Sequence, residues 1–334
     1  MKQLSKLFQV SSKKNLTCIS SEVLSKSIVG PKVLYFGEIH HNTDVLNCQL
    51  ELLHSLCENK SKATKIAVVM EMFNLNHQEL LNRYMQSGCD SKDDNSKSDK
   101  EPMSLESFQK EYDIIGPKEG FKIAGHYGAI LQMCRKNGID VLAGFPPRET
   151  ASQLVSLIKS KDESFTTQVH KLLKATPLCL DLEQSSIYES LIFGKDWNYC
   201  RYFYYLLTQE YLAEQASEAT MQMAMDKFKT IFPAQCFKDT IMAKTIVANY
   251  HKYDHIVVIA GKGHLDLGFG VPIRVQRLIT EQDISTHKHT ASKDDIKSSS
   301  TQDIPTLIFT TATAQEWENH PFKTQTLADF VVLI

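Results

Sequence analysis

Short apolar runs alternate along the chain with longer segments of helical periodicity. The clearest runs have the length of a strand and are rich in β-branched residues; they cover residues 33–36, 66–70, 140–144 and 255–260. Regular alternation of such runs with amphipathic helices is typical of a sheet whose strands are mostly parallel. The pattern therefore predicts an α/β fold with a mostly parallel central sheet.

Three further apolar runs, 273–275, 306–310 and 330–334, are predicted to extend the sheet or to form an antiparallel edge. Residues 165–252 show mainly helical periodicity and predict a helical insertion. Its aromatic stretch, 197–205, is expected to pack inside the helical core.

Two stretches rich in Ser, Lys and Asp, 87–107 and 281–303, lack the apolar residues needed for a core and predict disordered insertions. Predicted strands lie on both sides of each stretch. We therefore expect one α/β domain over residues 31–334, preceded by a flexible N-terminal segment, residues 1–30.

Composition narrows the classes of partner. The formal net charge is only -2, which gives no general electrostatic reason to bind nucleic acid, and no run approaches the roughly 20 apolar residues of a membrane-spanning helix. The eight cysteines include no C-x-x-C pair, so free thiols are expected. We expect a small-molecule ligand and an intracellular protein, either cytoplasmic or in a mitochondrion or another organelle.

Polar residues follow each of the four clearest strands. Glu38 and His40 follow the first, Glu71 the second, Arg148 the third and His264 the fourth. Ligands of open α/β sheets bind beyond the carboxyl ends of the strands. Gly37, Gly261 and Gly263 flank these residues and allow sharp turns or close approach of a ligand. The sequence therefore predicts a polar site at this edge.

The residue types leave the chemistry of this site open. Two imidazoles and two carboxylates can bind a divalent metal ion that activates water, or a carboxylate can act as a general base beside a histidine. The guanidinium of Arg148 suits a carboxylate or a phosphate. A third hypothesis is that these residues serve the fold alone.

The motifs together resemble those of the ChaN-like haem-binding proteins, which form one superfamily with the Tiki and TraB proteins. The resemblance covers residues 31–280 approximately. It is carried in order by Gly37-Glu38-Ile39-His40-His41-Asn42, Gln49, Met70-Glu71-Met72-Phe73, Gln78, Tyr127, Gly138-Ile139-Asp140-Val141, Pro147-Arg148, Gln235, Asp239, Met242, Ala243, Ala260-Gly261-Lys262-Gly263-His264 and Gly268-Phe269-Gly270-Val271-Pro272.

The resemblance implies a three-layer α/β/α fold and the binding of haem iron through a tyrosine, for which Tyr127 stands in the matching place. It also implies a homodimer in which two protomers share stacked haems. The residues expected to line the haem pocket are His40, His264, Glu38, Glu71 and Arg148, with Asp239 as a further candidate. Haem or metalloporphyrin binding is thus the leading hypothesis for function.

The Tiki and TraB relatives imply a different activity, hydrolysis at a divalent metal ion. The metal ligands would then be His40, His264 and Glu71, and Glu38 would join them as a catalytic residue. This hydrolase is the alternative hypothesis, so the sequence leaves open whether the chain is an enzyme.

Overall fold

The structure is a computed structural model that describes most of the chain. The described residues are 3–10, 16–61, 63–87, 102–117, 119–160, 167–168, 171–172, 185–194, 196–210, 212, 216–288, 304–320 and 328–334. The greater part of both predicted insertions, 88–101 and 289–303, lies outside these residues.

A mixed sheet forms the centre of the molecule. Its strands are β1 (Gln3–Val10), β2 (Leu16–Ser20), β3 (Val33–Glu38), β4 (Ile66–Asn74), β5 (Asp140–Phe145), β6 (His255–Gly261), β7 (Thr306–Ala312) and β8 (Phe330–Leu333). The spatial order is β2-β1-β8-β7-β3-β6-β4-β5. From β8 to β5 every neighbouring pair is parallel, whereas β1 is antiparallel to both β2 and β8. The predicted α/β fold with a mostly parallel sheet is confirmed.

Helices cover both faces of this sheet. Those described are α1 (Ser21–Ser27), α2 (Thr43–Asn59), α3 (Gln78–Gln86), α4 (Leu105–Ile115), α5 (Gly128–Asn137), α6 (Arg148–Ser160), α7 (Ser185–Phe193), α8 (Trp197–Thr208), α9 (Glu218–Asp226), α10 (Ile231–Asn249), α11 (Val271–Lys288) and α12 (Ala314–Asn319). A single π-helical turn, Ile123–Tyr127, leads into α5.

Two apolar cores, one on each face, hold the three layers together. Leu34 and Phe36 of β3 face a core formed with helices α1 to α5, whereas Val33 and Tyr35 face a core formed with α6, α7, α10 and α11. All six residues of β3 are buried. This explains why the parallel strands appear in the sequence as continuous apolar runs.

The helical insertion has a small core of its own. Aromatic residues of α8 pack there with Met221 and Met225 of α9 and Phe232 of α10. The expected packing of the aromatic stretch in a helical core agrees with this arrangement.

The N-terminal segment differs from the flexible chain expected for residues 1–30. Within its described part, β1 and β2 extend the sheet and α1 packs beside them, burying Leu7, Ile19, Leu24 and Ile28. Few apolar side chains are needed here because β1 attaches to β8 through backbone hydrogen bonds. That kind of attachment leaves little trace in hydrophobic periodicity.

Two other predictions also differ from the structure: the strand at residues 273–275 and the extent of the two insertions. Residues 273–275 belong to α11 rather than to a strand, because Val271, Val275 and Leu278 recur at helical spacing and are buried. The runs 306–310 and 330–334 do form strands, β7 and β8, and both join the parallel part of the sheet. The ends of the predicted insertions are helical, at the start of α4 and the end of α11.

Among the residues described, Cys48, Cys57, Cys134 and Cys236 are free thiols. Within the described part of the chain, no helix has the length and apolarity required to cross a bilayer.

A buried carboxylate ties the helical insertion to the sheet. Asp266 accepts hydrogen bonds from the Tyr202 hydroxyl of α8 at 2.6 Å and from the Thr310 hydroxyl of β7 at 2.5 Å. Burial raises the pKa of Asp266 to about 6, although Lys262 and the two hydroxyl groups oppose the rise. The negative charge of Glu316 adds to it. At neutral pH the fold therefore holds a charged group at a cost in stability.

The first prediction concerns packing at Gly144 of β5. A Cβ atom there would clash with Cε of Met242 and lie 2.9 Å from the carbonyl oxygen of Met70. The methionine can move, but the β4 backbone cannot, so Gly144→Ala should lower the free energy of unfolding by about 1–3 kcal/mol. Urea denaturation measures this. Gly30→Ala is the control, because no atom lies within 4 Å of its added Cβ; equal stability of the two variants contradicts the prediction.

The second prediction concerns the pH dependence of stability. The pKa of Asp266 rises from 3.8 to about 6 on folding. The free energy of unfolding that Asp266 contributes is therefore fully present below pH 3.8 and is lost as the pH rises through about 6. The loss is about 3 kcal/mol. Asp266→Asn should remove this slope. Urea denaturation of both proteins at several pH values between 4 and 7 tests this, and parallel curves would show that Asp266 does not carry the effect.

Candidate functional site

The register of the central strands brings the two Gly-x-x-His motifs together. Glu38 at the end of β3 lies opposite Gly261 at the end of the parallel strand β6. On the other side of β6, Met70 of β4 lies opposite Ile259, so Glu71 follows at nearly the same level. The polar residues predicted at three strand ends therefore meet at one edge of the sheet.

Gly261 lets these groups approach closely. A Cβ atom at this position would lie 3.2 Å from Nε2 of His40 and 3.3 Å from Oε2 of Glu71. Both contacts are tighter than ordinary van der Waals packing allows. A side chain at this position would thus press on both groups.

The first half of the site is built around Glu38, which is buried. Its Oε2 accepts a hydrogen bond from the Gln49 amide of α2 at 2.6 Å. Its Oε1 accepts from the Tyr127 hydroxyl at 2.7 Å and faces Nδ1 of His40 at 2.8 Å. Since a carboxylate only accepts hydrogen bonds, Nδ1 of His40 carries a proton.

Tyr127 contacts Glu38 and His40 through its hydroxyl group and is fully buried. Burial, followed by the charge and the hydrogen bond of Glu38, raises the pKa of its hydroxyl well above the ordinary value. The phenol is thus held in its protonated form as a donor to Glu38. The iron ligation predicted for Tyr127 would require this hydrogen bond to break and the oxygen to reach a surface.

The second half of the site repeats the pairing of a carboxylate with an imidazole. Asp239 of α10 is fully buried, and its Oδ1 lies 2.5 Å from Nδ1 of His264. The Tyr199 hydroxyl of α8 donates to Oδ2 of Asp239 at 2.7 Å, and Arg274 of α11 lies 4.0 Å from the same oxygen. The helical insertion thereby helps to position His264.

Glu71 lies between the two imidazoles. Its Oε1 is 3.9 Å from Nε2 of His40 and 3.7 Å from Nε2 of His264, while its Oε2 accepts the backbone N–H of Gly261 at 2.6 Å. Each histidine thus directs Nδ1 to its own carboxylate and Nε2 towards Glu71. Two acid–base pairs face one shared glutamate.

The two histidines differ in their access to solvent. The side chain of His40 is 38% exposed and contacts the edge of the Phe121 ring, whereas that of His264 is 9% exposed and packs against Phe145. Burial alone would lower the pKa of His40, but the hydrogen bond to Glu38 and the charges of Glu71 and Glu38 raise it overall. A ligand from solvent thus meets His40 first.

The structure gives the predicted divalent-metal site no support. His40, Glu71 and His264 do converge, yet across the residues described there is no group of three or more His, Cys, Asp or Glu side chains arranged to hold a metal ion. The convergence of these residues is explained by hydrogen bonding and charge.

Arg148 is placed less centrally. It begins α6 after β5, its side chain is exposed, and its backbone N–H donates to Glu119 at 3.1 Å. Lys262, between the two glycines of the second motif, forms an ion pair with Glu316 of α12.

Sequence reasoning missed several residues that support the site. Tyr199 and Tyr202 were assigned to helical packing alone, although their hydroxyl groups bond to Asp239 and Asp266. Arg274 was not identified, and it is a charged residue only 4% exposed. A tyrosine-rich stretch followed in the sequence by acidic residues predicts such hydrogen bonds only weakly. The partner of each hydroxyl group depends on how the helical insertion packs.

Comparison with known proteins identifies a family that matches most of the chain. The family described as "Haem-binding uptake, Tiki superfamily, ChaN" matches residues 24–275, which include Glu38, His40, Glu71 and His264. No curated protein matches the chain.

Three solved structures are similar to the chain to different degrees. ChaN of Campylobacter jejuni, whose structure is described as cofacial haem binding, is 15% identical, with a TM-score of 0.52 over 98% of this chain and 97% of that one. A succinoglycan biosynthesis protein is 12% identical, with a TM-score of 0.40 over 93% of this chain and 73% of that one. An erythromycin esterase is 15% identical, with a TM-score of 0.38 over 93% and 77%. From the family match over residues 24–275, the chain belongs to the ChaN-like haem-binding uptake family of the Tiki superfamily.

Proposed function

We propose that the chain binds haem at the carboxyl edge of its sheet. One observation carries the proposal: the family match spans a buried polar cluster in which the imidazole of His40 remains 38% exposed. Imidazole and phenol groups are established protein ligands of haem iron. The ChaN structure with the same architecture is described as binding haem cofacially.

The surroundings of His40 suit a porphyrin. The ring of Phe121 lies 5.4 Å from that of His40 and 6.0 Å from that of Tyr127, measured between ring centroids, and places an aromatic surface beside His40. An apolar wall beside a nitrogen donor is what a flat, largely apolar macrocycle needs. The exposed guanidinium of Arg148 is proposed to bind a haem propionate. Cofacial binding in ChaN supports the further proposal of a homodimer that forms with haem.

The third prediction tests haem binding itself. Titration of the purified chain with ferric haem should give a saturable change of the Soret band that ends at one haem per protomer, with the mass of a dimer by light scattering. His251→Ala is the control for adventitious binding, since His251 is exposed and precedes β6 at the opposite edge of the sheet. A titration that does not saturate, or that weakens in the control variant, contradicts haem binding at this site.

Hydrolysis without a metal ion is a second candidate function. It is favoured by the two histidines whose Nδ1 atoms bond to Glu38 and Asp239 and whose Nε2 atoms face Glu71. An imidazole oriented by a carboxylate is the usual general base for activating water. This form of the hydrolase hypothesis does not need the divalent metal.

The fourth prediction tests this candidate. The chain should hydrolyse an activated ester such as p-nitrophenyl acetate in the presence of EDTA, and His264→Gln should lower the rate by roughly 10²–10⁴-fold. His251→Gln is the matched control and should leave the rate unchanged. A rate that is equal in all three proteins counts against hydrolysis. If haem also fails to bind, the hypothesis that the cluster serves only the fold gains support.

A further inference from the structure

Aromatic rings pack around the buried side chain of Tyr127. The rings of His126, His41 and Phe121 lie 4.8, 5.5 and 6.0 Å from its ring, measured between centroids. Phe121 also contacts the ring of His40 at 5.4 Å and that of His41 at 6.3 Å. A ligand that approaches Tyr127 past the partly exposed His40 therefore meets Phe121.

Phe121 belongs to a strap, residues 119–122, that lies between α4 and the π-helical turn and outside the helices and strands. Gly120 of the strap is exposed and has a φ of 79°. Among the residues described, no atom beyond its chain neighbours lies within 4 Å of the Cβ that another residue would place there. This conformation favours glycine, and glycines commonly form the hinges of lids. Gly120 therefore gives the strap a hinge directly beside Phe121.

Polar side chains hold the strap closed. Glu119 accepts a hydrogen bond from the Asn74 amide at the end of β4, at 2.8 Å, and one from the backbone N–H of Arg148 at the start of α6, at 3.1 Å. The amide of Gln109 in α4 donates to the carbonyl oxygen of Phe121 at 3.3 Å. These bonds lie at partly exposed positions, so breaking them costs far less than unfolding a core of the sheet. The strap can therefore open while the rest of the fold stays intact.

The closed strap keeps Tyr127 away from any ligand. Its side chain is fully buried, and its hydroxyl group donates to Glu38 at 2.7 Å. Movement of Phe121 would remove the ring that contacts both Tyr127 and His40, and would open an approach to both side chains from one direction. A large, flat ligand needs such a space, which the closed strap does not provide.

We propose that the strap is a lid that closes over Tyr127 and must open before haem reaches this residue. Glu119 is the latch of the lid, Gly120 is its hinge and Phe121 is the ring that closes it. The inference rests on the proposed haem binding for the identity of the ligand. Opening of the strap, in contrast, is a property of the chain alone and can be measured without haem.

Hydrogen–deuterium exchange, followed by mass spectrometry of the peptide that covers residues 120–127, measures this opening. Two backbone N–H groups report it. In the closed strap that of Ala124 donates to the Gln109 side chain at 3.0 Å, and that of His126 donates to the carbonyl oxygen of Lys122 at 3.1 Å. Both bonds should break when the strap opens, so the exchange rate of these groups follows the open fraction.

Two pairs of matched variants change the opening. Glu119→Ala removes the latch and should raise the exchange rate about 10-fold. Glu111→Ala is its control and should leave the rate unchanged, because Glu111 is an exposed glutamate of α4 that pairs with Arg83 instead. Gly120→Ala adds no clash but strains the closed backbone, so it should also raise the rate about 10-fold. Gly138→Ala is its control, since it carries the same strain without a clash, at a φ of 61°, beyond the end of α5.

Stopped-flow mixing with ferric haem then connects opening to binding. Glu119→Ala and Gly120→Ala should bind haem faster by the same factor as their exchange increases, since only the open chain admits the ligand. Unchanged exchange in both variants, or faster exchange with an unchanged rate of haem binding, overturns the lid. Faster exchange that extends equally to β3 and β6 also overturns it, because the whole sheet is then loosened.

The two measurements separate the lid from haem binding itself. If the native chain binds haem and the strap variants show no change, the lid alone is overturned. If the native chain does not bind haem, the proposed function is overturned and the lid with it, even where exchange shows that the strap opens.

Discussion

The site depends on the parallel pairing of β3 with β6, in which Glu38 lies opposite Gly261. This register sets two histidine-bearing turns side by side, although more than two hundred residues of sequence separate them. A slip by one residue would send the side chains of one strand to the opposite faces of the sheet. The apolar residues of β3 prevent it, because Leu34 and Phe36 belong to one core while Val33 and Tyr35 belong to the other.

The carboxylates of the site accept hydrogen bonds from neutral donors. Glu38 is bound by Gln49 and Tyr127, Asp239 by Tyr199, and Glu71 by a backbone N–H group. Such bonds satisfy the oxygens and leave the charge free to act on the imidazoles. Both proposed functions, haem ligation and proton transfer, require imidazoles oriented in this way.

The sequence predicted the central strands and the polar residues that meet at their carboxyl ends, because buried parallel strands appear as apolar runs and the polar residues after them stand out. Arg148 was predicted by the same reasoning but lies exposed at the start of α6. The supporting bonds of Tyr199 and Tyr202 could not be predicted, since they depend on how the helical insertion packs. The hairpin of β1 and β2 was missed because backbone pairing to β8 needs no hydrophobic signature.

That hairpin depends on a strand that lies far away in the sequence. β1 pairs with β8, more than three hundred residues further along, so this pairing forms only after β8 has been synthesised. Until then β3 also lacks β6 and β7, its two neighbours, and its backbone edges stay unpaired. Pairings so distant in sequence form slowly, and exposed strand edges favour aggregation. The sheet therefore keeps unpaired strand edges during folding until its most distant strands are in place.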